Sequence, residues 1–280
     1  MRVLITGGAG FVGTNIIKRL ISKDHYVISI DNYNTGKKEN HIEGAVYLNH
    51  DMRNIADYSF IGQIDCVFHM AAIARIQPSF KEPYDYFTTN VNATFVLAEY
   101  CAKNGIPLVY AGSSSHHSGK FKNPYTFSKD IGEDVIKLFQ EHYNLKASIT
   151  RFYNVYGPHQ LKEGAYCTLI GIWENCIQQN KPFIIYGDGT KRRDFTHVED
   201  IVDAMMLIFE KQSWGHIFEL GRGKNYSIKE IADMFGKIPI YEPDRLGEAQ
   251  TTLCTDTLAK ELLGWTPKLN IEDYIKIIIN

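Results

Sequence analysis

No apolar stretch in the 280-residue chain runs uninterrupted for about 18 residues, which excludes an ordinary membrane-spanning helix. Blocks of like charge are missing too. The formal net charge is −2, and no basic cluster offers an electrostatic footprint for nucleic acid or an anionic membrane. An anionic ligand must therefore be met by a few placed cations. Cysteines are odd in number and widely spaced, with Cys66, Cys101, Cys167, Cys176 and Cys254 forming no C-x-x-C pair. Reduced, mostly buried thiols in a cytoplasmic protein are expected. A strand follows Met1 almost at once and leaves no room for a secretory signal. Repeats, low-complexity tracts and long charged linkers are absent. No metal site is expected, because the adjacent His116 and His117 have no nearby carboxylate cluster and make poor chelate geometry.

What is present is an ordinary globular composition, 44% hydrophobic and 22% charged, on a chain long enough to bury a substantial core. Its most informative stretch is Thr6-Gly7-Gly8-Ala9-Gly10-Phe11-Val12-Gly13, between an apolar run and an amphipathic segment. The pattern predicts a strand, a tight turn and a helix N-terminus. Gly7 and Gly10 can take backbone angles closed to other residues, and Gly13 lets the helix sit close on the strand. Free N–H groups and the positive helix end then face a pyrophosphate.

Short β-branched runs alternate with helical patterns. Strands are predicted at Val3–Thr6, Tyr26–Ile30, Val46–Asn49, Cys66–Met70, Leu108–Ala111, Ala147–Arg151 and Ile217–Leu220, and helices at Gly13–Ser22, Tyr84–Lys103, Tyr125–Tyr143 and Val198–Lys211. Strands that are apolar throughout imply a parallel sheet covered on both faces, hence an α/β, doubly wound Rossmann fold. Beyond Gly157-Pro158 the alternation breaks down, with a helix at Tyr166–Gln179, a strand at Phe183–Tyr186 and short elements around Ser227–Gly236, Pro239–Tyr241 and Thr255–Leu263. We expect a nucleotide-binding domain over 1–156, rejoined by 198–221, and a smaller α/β lobe from 157–197 and 222–280. The terminal Tyr274–Ile279 run reads as a closing helix or strand. Ligands should bind beyond the carboxyl ends of the strands, between the lobes.

Asp31 ends the second strand, where a carboxylate accepts bonds from ribose hydroxyls and repels a 2′-phosphate, so NAD is favoured over NADP. Asp51 is placed either near an adenine or as a helix N-cap. Ala71 and Ala72, after the fourth strand, permit close passage of the pyrophosphate, while His69 reads as a satisfied core histidine with no chemistry. Tyr125 and Lys129 share one helix face at i, i+4. An unperturbed phenol titrates near ~10, so the lysine and a positively charged nicotinamide would be needed to make Tyr125 a base at neutral pH. The Ser113-Ser114-Ser115 run at the end of the fifth strand supplies a hydroxyl for the oxygen being oxidised or reduced.

These segments, together with Asn90-Val91, Asn123-Pro124-Tyr125 and Arg151-Phe152-Tyr153-Asn154-Val155-Tyr156-Gly157-Pro158, resemble the extended short-chain dehydrogenase/reductase family. Its NAD-dependent nucleotide-sugar epimerases and dehydratases are most similar, over nearly the whole chain. The resemblance implies a cofactor site of Gly7, Gly10, Phe11, Val12, Gly13, Asp31, Asn32, Asp51, Met52, Ala71, Ala72, Asn90 and Tyr153, with Tyr125 and Lys129. It implies Tyr125, Lys129 and Ser113 or Ser114 as the catalytic set. Asn154, Arg193 in Arg192-Arg193-Asp194-Phe195-Thr196-His197 and Arg245 in Arg245-Leu246-Gly247-Glu248 would bind a nucleotide sugar, the arginines at its diphosphate.

The implied reaction is oxidation without net redox: Tyr125 removes a hydroxyl proton, NAD+ takes the hydride, and its return to the other face of the turned keto sugar gives the epimer. Two departures matter. The acidic pair of the dehydratases and the glutamate of related decarboxylases are replaced by Ser115-His116-His117-Ser118, which leaves 4-epimerisation of a UDP-hexose or UDP-N-acetylhexosamine as the expectation. Only nine residues separate Ser115 from Tyr125, a short loop that leaves Ser113 and Ser114 both open as the catalytic hydroxyl and opens one wall of the sugar pocket. His116 and His117 either contact the sugar, supply a second proton-transfer group or form a polar replacement loop. A nucleotide-sugar dehydratase, decarboxylase or reductase of the same family and a non-catalytic NAD-binding protein are the alternatives. Wide apolar stripes on Tyr84–Lys103 and Tyr125–Tyr143, with the resemblance, imply a homodimer.

Overall fold

In the computed structural model, which describes residues 1–55 and 58–279, seven parallel strands form the central sheet. The first half of the chain runs β1 (Arg2–Thr6), α1 (Phe11–Ile21), β2 (Tyr26–Asp31), β3 (Val46–Asn49), β4 (Cys66–His69), α2 (Ile76–Lys81), α3 (Pro83–Phe87), α4 (Ala93–Asn104), β5 (Leu108–Ser113) and α5 (Pro124–Tyr143). The second half adds β6 (Ala147–Phe152), α6 (Leu169–Gln178), β7 (Ile184–Tyr186), β8 (Arg192–Asp194), α7 (Val198–Glu210), β9 (Ile217–Leu220), β10 (Asn225–Ser227), α8 (Ile228–Met234), β11 (Ile240–Glu242), α9 (Leu258–Leu263) and α10 (Ile271–Ile279). The main sheet is ordered β3-β2-β1-β4-β5-β6-β9, and every neighbouring pair is parallel. The order reverses between β1 and β4, and the crevice at their carboxyl ends is where such sheets bind ligands.

Both faces of the sheet are covered from β2 to β9, while the edge strand β3 stays partly exposed. Leu4, Val67, Leu108 and Ile149 pack on one side with Leu97 and Ile136, while Val3, Ile5, Phe68 and Val109 pack on the other with Ile16, Ile201 and Met205. Leu263 and Trp265 join this second core, and the Trp265 indole donates to the Asp200 carbonyl at 2.8 Å. A third core gathers Trp173, Phe183, Phe195, Ile231, Phe235, Ile271 and Ile275, with Trp173 stacked on Phe183 at 4.5 Å. Burying such side chains contributes roughly 1.5–3 kcal/mol each.

Several local expectations are corrected. The helix after the glycine loop starts at Phe11, because Gly10 is its N-cap. The segment expected as one helix over Tyr84–Lys103 is interrupted by a wide π turn, Thr88–Asn92, which carries Asn90. The helix expected from Tyr166 starts at Leu169, since Thr168 Oγ1 caps it by accepting from Gly171 N at 2.9 Å. α2 was not anticipated, because Pro78 interrupts its pattern. Nor was the antiparallel pair β8–β10, whose Arg192-Arg193-Asp194 shows no apolar alternation. The terminal run is a helix.

Candidate active site

The glycine loop lies where β1 ends beside β4. Gly7 has φ +71, and a Cβ there would stand 2.8 Å from the Ala71 Cα and N atoms, so the two strand-end loops touch backbone to backbone. Gly10 is a different case from the one expected. Its φ is −84, open to any residue, and what it supplies is space: an added Cβ would sit 3.2 Å from the Gly7 carbonyl. A Cβ at Gly13 would lie 2.2 Å from that same oxygen and 2.7 Å from Gly8 Cα, so this glycine lets α1 rest on the loop. No side chain caps α1, and the first turn containing Phe11, Val12 and Gly13 is left to an anion.

Asp31, 8% exposed, accepts from Ala9 N at 2.9 Å and from Tyr33 N at 2.8 Å. Burial raises its pKa, and these two N–H bonds oppose the rise. The carboxylate thus ties the loop to the end of β2, where an adenosine ribose would arrive. Asp51 takes the N-cap alternative: it accepts from Arg53 N at 2.9 Å and from Asn32 Nδ2 at 3.0 Å, capping the 3-10 turn that begins at Met52. The Arg53 side-chain bonds lower its pKa to about 2. His69 is the core histidine expected, held between Thr6 Oγ1 at 2.7 Å and Thr94 Oγ1 at 2.9 Å. Burial pulls its pKa down to about 3. Ala71 N donates to Thr6 Oγ1 at 3.2 Å, and Ala72 follows on the same loop.

Asn90 and Tyr153 adjoin the site with their side chains committed to protein partners. The Asn90 amide accepts from Ile73 N and donates to Ile73 O and Ser128 Oγ, all within 2.8–2.9 Å. The Tyr153 hydroxyl donates to Glu219 Oε2 at 3.0 Å.

Of the two candidate serines, Ser113 meets the tyrosine. Tyr125 donates to Ser113 Oγ at 3.2 Å, and Ser115 N donates to the same oxygen at 3.2 Å. A serine hydroxyl has one donor and two acceptor positions. With both acceptor positions used, the Ser113 proton is free for a ligand oxygen. Ser114 is buried and begins the 3-10 turn Ser114–Ser118. Lys129 is 4% exposed, with Nζ over the Tyr110 ring at 4.5 Å, and burial lowers its pKa to about 8. Burial raises the Tyr125 pKa, while the Ser113 bond and the charge of Arg75 pull it down. Arg75 is a cation that the sequence reading did not single out. Its only signal was its position just past Ala71-Ala72.

The short loop is pinned by its histidines. His116 Nδ1 lies 3.0 Å from Asp130 Oδ1, and His117 Nε2 lies 2.9 Å from Glu219 Oε1. Glu219 in turn holds Arg151, which also binds Glu133 at 2.6 Å. Both histidine rings are thus engaged by protein carboxylates.

Asn154 (φ +29) donates to Asp194 O and Thr252 Oγ1 at 3.1 and 3.0 Å. Arg193 donates to the Arg192 carbonyl at 2.9 Å and stands 3.6 Å from Glu248. The Arg245 guanidinium covers the Tyr186 ring at 3.3 Å. Arg193 thus meets the 244–250 segment that carries Arg245, and this segment also reaches α2 and the N-cap of α5: Gln77 Nε2 donates to Leu246 O at 2.9 Å and Asn123 Nδ2 to Gly247 O at 3.2 Å. Among the described residues no cluster of histidine, cysteine or acid could hold a metal, and no helix is long and apolar enough to cross a membrane. All five cysteines are free thiols.

A seven-stranded Rossmann sheet, a glycine loop at its switch point and a serine–tyrosine pair one helical turn from a buried lysine define the extended short-chain dehydrogenase/reductase class. The chain belongs to the NAD dependent epimerase/dehydratase family, whose model matches residues 3–221. It is 29% identical over 302 residues to the UDP-glucose 4-epimerase of Mycolicibacterium smegmatis, a match covering 98% of this chain and 96% of that one. The structure of UDP-glucose 4-epimerase from Thermotoga maritima with UDP-glucose superposes with a TM-score of 0.92 at 29% identity, covering 100% of this chain and 97% of that one. The UDP-glucuronic acid 4-epimerase of Bacillus cereus, in complex with UDP-glucuronic acid and NAD, superposes at 0.89 with 25% identity, covering 99% and 97%. NAD is the cofactor of the family. The tight Gly7–Ala71 approach, the uncapped α1 and the Asp31 carboxylate fit it.

Proposed function

We propose that the protein catalyses NAD-dependent epimerisation at C4 of a nucleotide sugar, with UDP-hexoses or UDP-N-acetylhexosamines as the substrate class. The observation that carries this reading is the Tyr125–Ser113 hydrogen bond at the carboxyl end of β5. Bound NAD supplies a hydride acceptor that also gives the hydride back. Ser113 donates its free proton to the C4 oxygen and holds it against Tyr125. Tyr125 accepts the C4 hydroxyl proton as that oxygen becomes a carbonyl, and returns it on the way to the epimer. The positive charges of Lys129 and Arg75 favour the phenolate. Arg193 and Arg245 grip the diphosphate from the second lobe while the sugar turns over.

The sequence after Ser113 supports this outcome over elimination, because Ser115-His116-His117-Ser118 offers no carboxylate and the two histidines are engaged by Asp130 and Glu219. Tyr125→Phe should lower turnover of a UDP-sugar by about 10²-fold or more while NAD content and UDP-sugar affinity stay within twofold. Unimpaired turnover in that variant would remove Tyr125 from the chemistry.

A further inference from the structure

Arg75 has the backbone conformation φ +91, ψ 142, a region that belongs to glycine and that other residues occupy only when their surroundings hold them there. Two clamps do so. The Tyr86 hydroxyl lies 2.8 Å from the Ala74 carbonyl and 2.9 Å from the Arg75 carbonyl, and the Asn90 amide brackets Ile73 through both its N–H and its C=O. The strained segment is thus fixed from α3 and from the π turn that follows it.

The side chain is placed as firmly as the backbone. Its Nε donates to the Tyr166 carbonyl at 3.0 Å, so the guanidinium spans from the end of β4 to the segment preceding α6. It lies beside the catalytic tyrosine: Tyr86 meets Tyr125 edge to face at 6.2 Å, and the Arg75 charge acts on the Tyr125 phenol. A guanidinium stays protonated at any physiological pH. Yet among the described residues Arg75 has no carboxylate in ion-pair range, unlike Arg19, Arg53, Arg151, Arg192 and Arg193. A partly buried cation left without a counter-charge is costly unless a ligand brings one.

The cofactor phosphates belong to the glycine loop, and in the proposed reading the sugar-nucleotide diphosphate belongs to Arg193 and Arg245. Beside Tyr125 that leaves the nicotinamide, which carries no negative charge, and the sugar. We propose that Arg75 is a specificity-determining residue that reads a negative charge on the sugar, the carboxylate of a UDP-linked uronic acid. A carboxylate in the plane of the two free guanidinium nitrogens would complete the unpaired fork. This rests on the reading of the site as one for nucleotide sugars, and it replaces the neutral hexose or N-acetylhexosamine of that reading with a hexuronic acid.

The test is calorimetric titration of the NAD-loaded protein with UDP-glucuronic acid, UDP-glucose and UDP. The parent should bind UDP-glucuronic acid about tenfold or more tighter than UDP-glucose. Arg75→Met should erase that preference while the affinity for UDP stays within twofold, and Arg75→Lys should retain part of it. Equal affinities in the parent, or an undiminished preference in Arg75→Met, would overturn the proposal. Should Arg75→Met fail to fold, the parent's preference and its partial survival in Arg75→Lys decide the matter alone. Product NMR on the same samples reads the epimerase assignment separately: preferential binding without a 4-epimer would sink that assignment and leave the role of Arg75 standing.

Discussion

Gly13→Ala isolates the contact on which cofactor retention depends. An alanine inside a helix is ordinarily worth about 1 kcal/mol over glycine, so propensity alone predicts a more stable protein. The structure predicts the reverse. The added Cβ would stand 2.2 Å from the Gly7 carbonyl oxygen and 2.7 Å from Gly8 Cα, where ordinary contact begins at 3.4 Å. Both obstacles are backbone, so no rotamer relieves them. α1 must retreat by roughly 1 Å, and overpacking of this kind costs about 1–3 kcal/mol. Offset by the helix gain, a net loss of about 0–2 kcal/mol and a drop of a few degrees in Tm are expected. The larger effect falls on the cofactor, since the same retreat takes the first-turn N–H groups away from the pyrophosphate. Denaturing the purified variant should release far less NAD than the parent does. A Gly13→Ala protein with full NAD content and an unchanged or higher Tm would refute the reasoning.

Other outcomes follow from the same geometry. Arg193→Ala should weaken binding of a UDP-sugar about tenfold by calorimetry without changing NAD content, and unchanged affinity would take Arg193 out of the site. Lys129, with a pKa near 8, loses its charge as pH rises through that value, so turnover should fall on the alkaline side with a midpoint close to 8. Over the interval from 8 to the ordinary lysine value of ~10.4 the unfolded chain binds the proton that the folded chain has released, so this group adds to stability as pH rises there. A flat pH–rate profile to pH 9.5 would contradict that placement. Exposed Tyr84, Phe87 and Phe95 on α3–α4 and Leu138 and Tyr143 on α5 leave the apolar stripes seen in the sequence uncovered, and light scattering should report a homodimer. A monomer at micromolar concentration would end that expectation.

The sheet was legible because its strands are short, mostly apolar and β-branched runs separated by helical patterns, and the strand ends moved by two residues at most. The glycine loop, Asp31, and the Tyr125–Lys129 spacing were legible because their chemistry depends on residue type at fixed separation. Less was legible where tertiary contacts decide. Nothing local tells that Gly10 contributes space where Gly7 contributes a positive φ, or that Asp51 turns to Arg53 and Asn32. The serine ambiguity arose from the short loop; in the structure it is Ser113 that Tyr125 reaches. β8 escaped notice because Asp194 is buried for its bonds to the backbone N–H groups of Arg222, Gly223 and Cys254, a pattern with no apolar signature. Arg75 was invisible for a related reason, since a glycine-like conformation at a non-glycine residue leaves no mark on the sequence.

In the proposed reaction one retained cofactor and one tyrosine move a single hydrogen off C4 and back. Purified protein, with no NAD added, is incubated with UDP-glucose and UDP-glucuronic acid deuterated at C4, and the products are read by NMR. A 4-epimer of at least one of them, with its deuterium kept at C4, is the expected product. Loss of the label to solvent, a dependence on added NAD, or a 4,6-dehydrated or decarboxylated product without any epimer would contradict it.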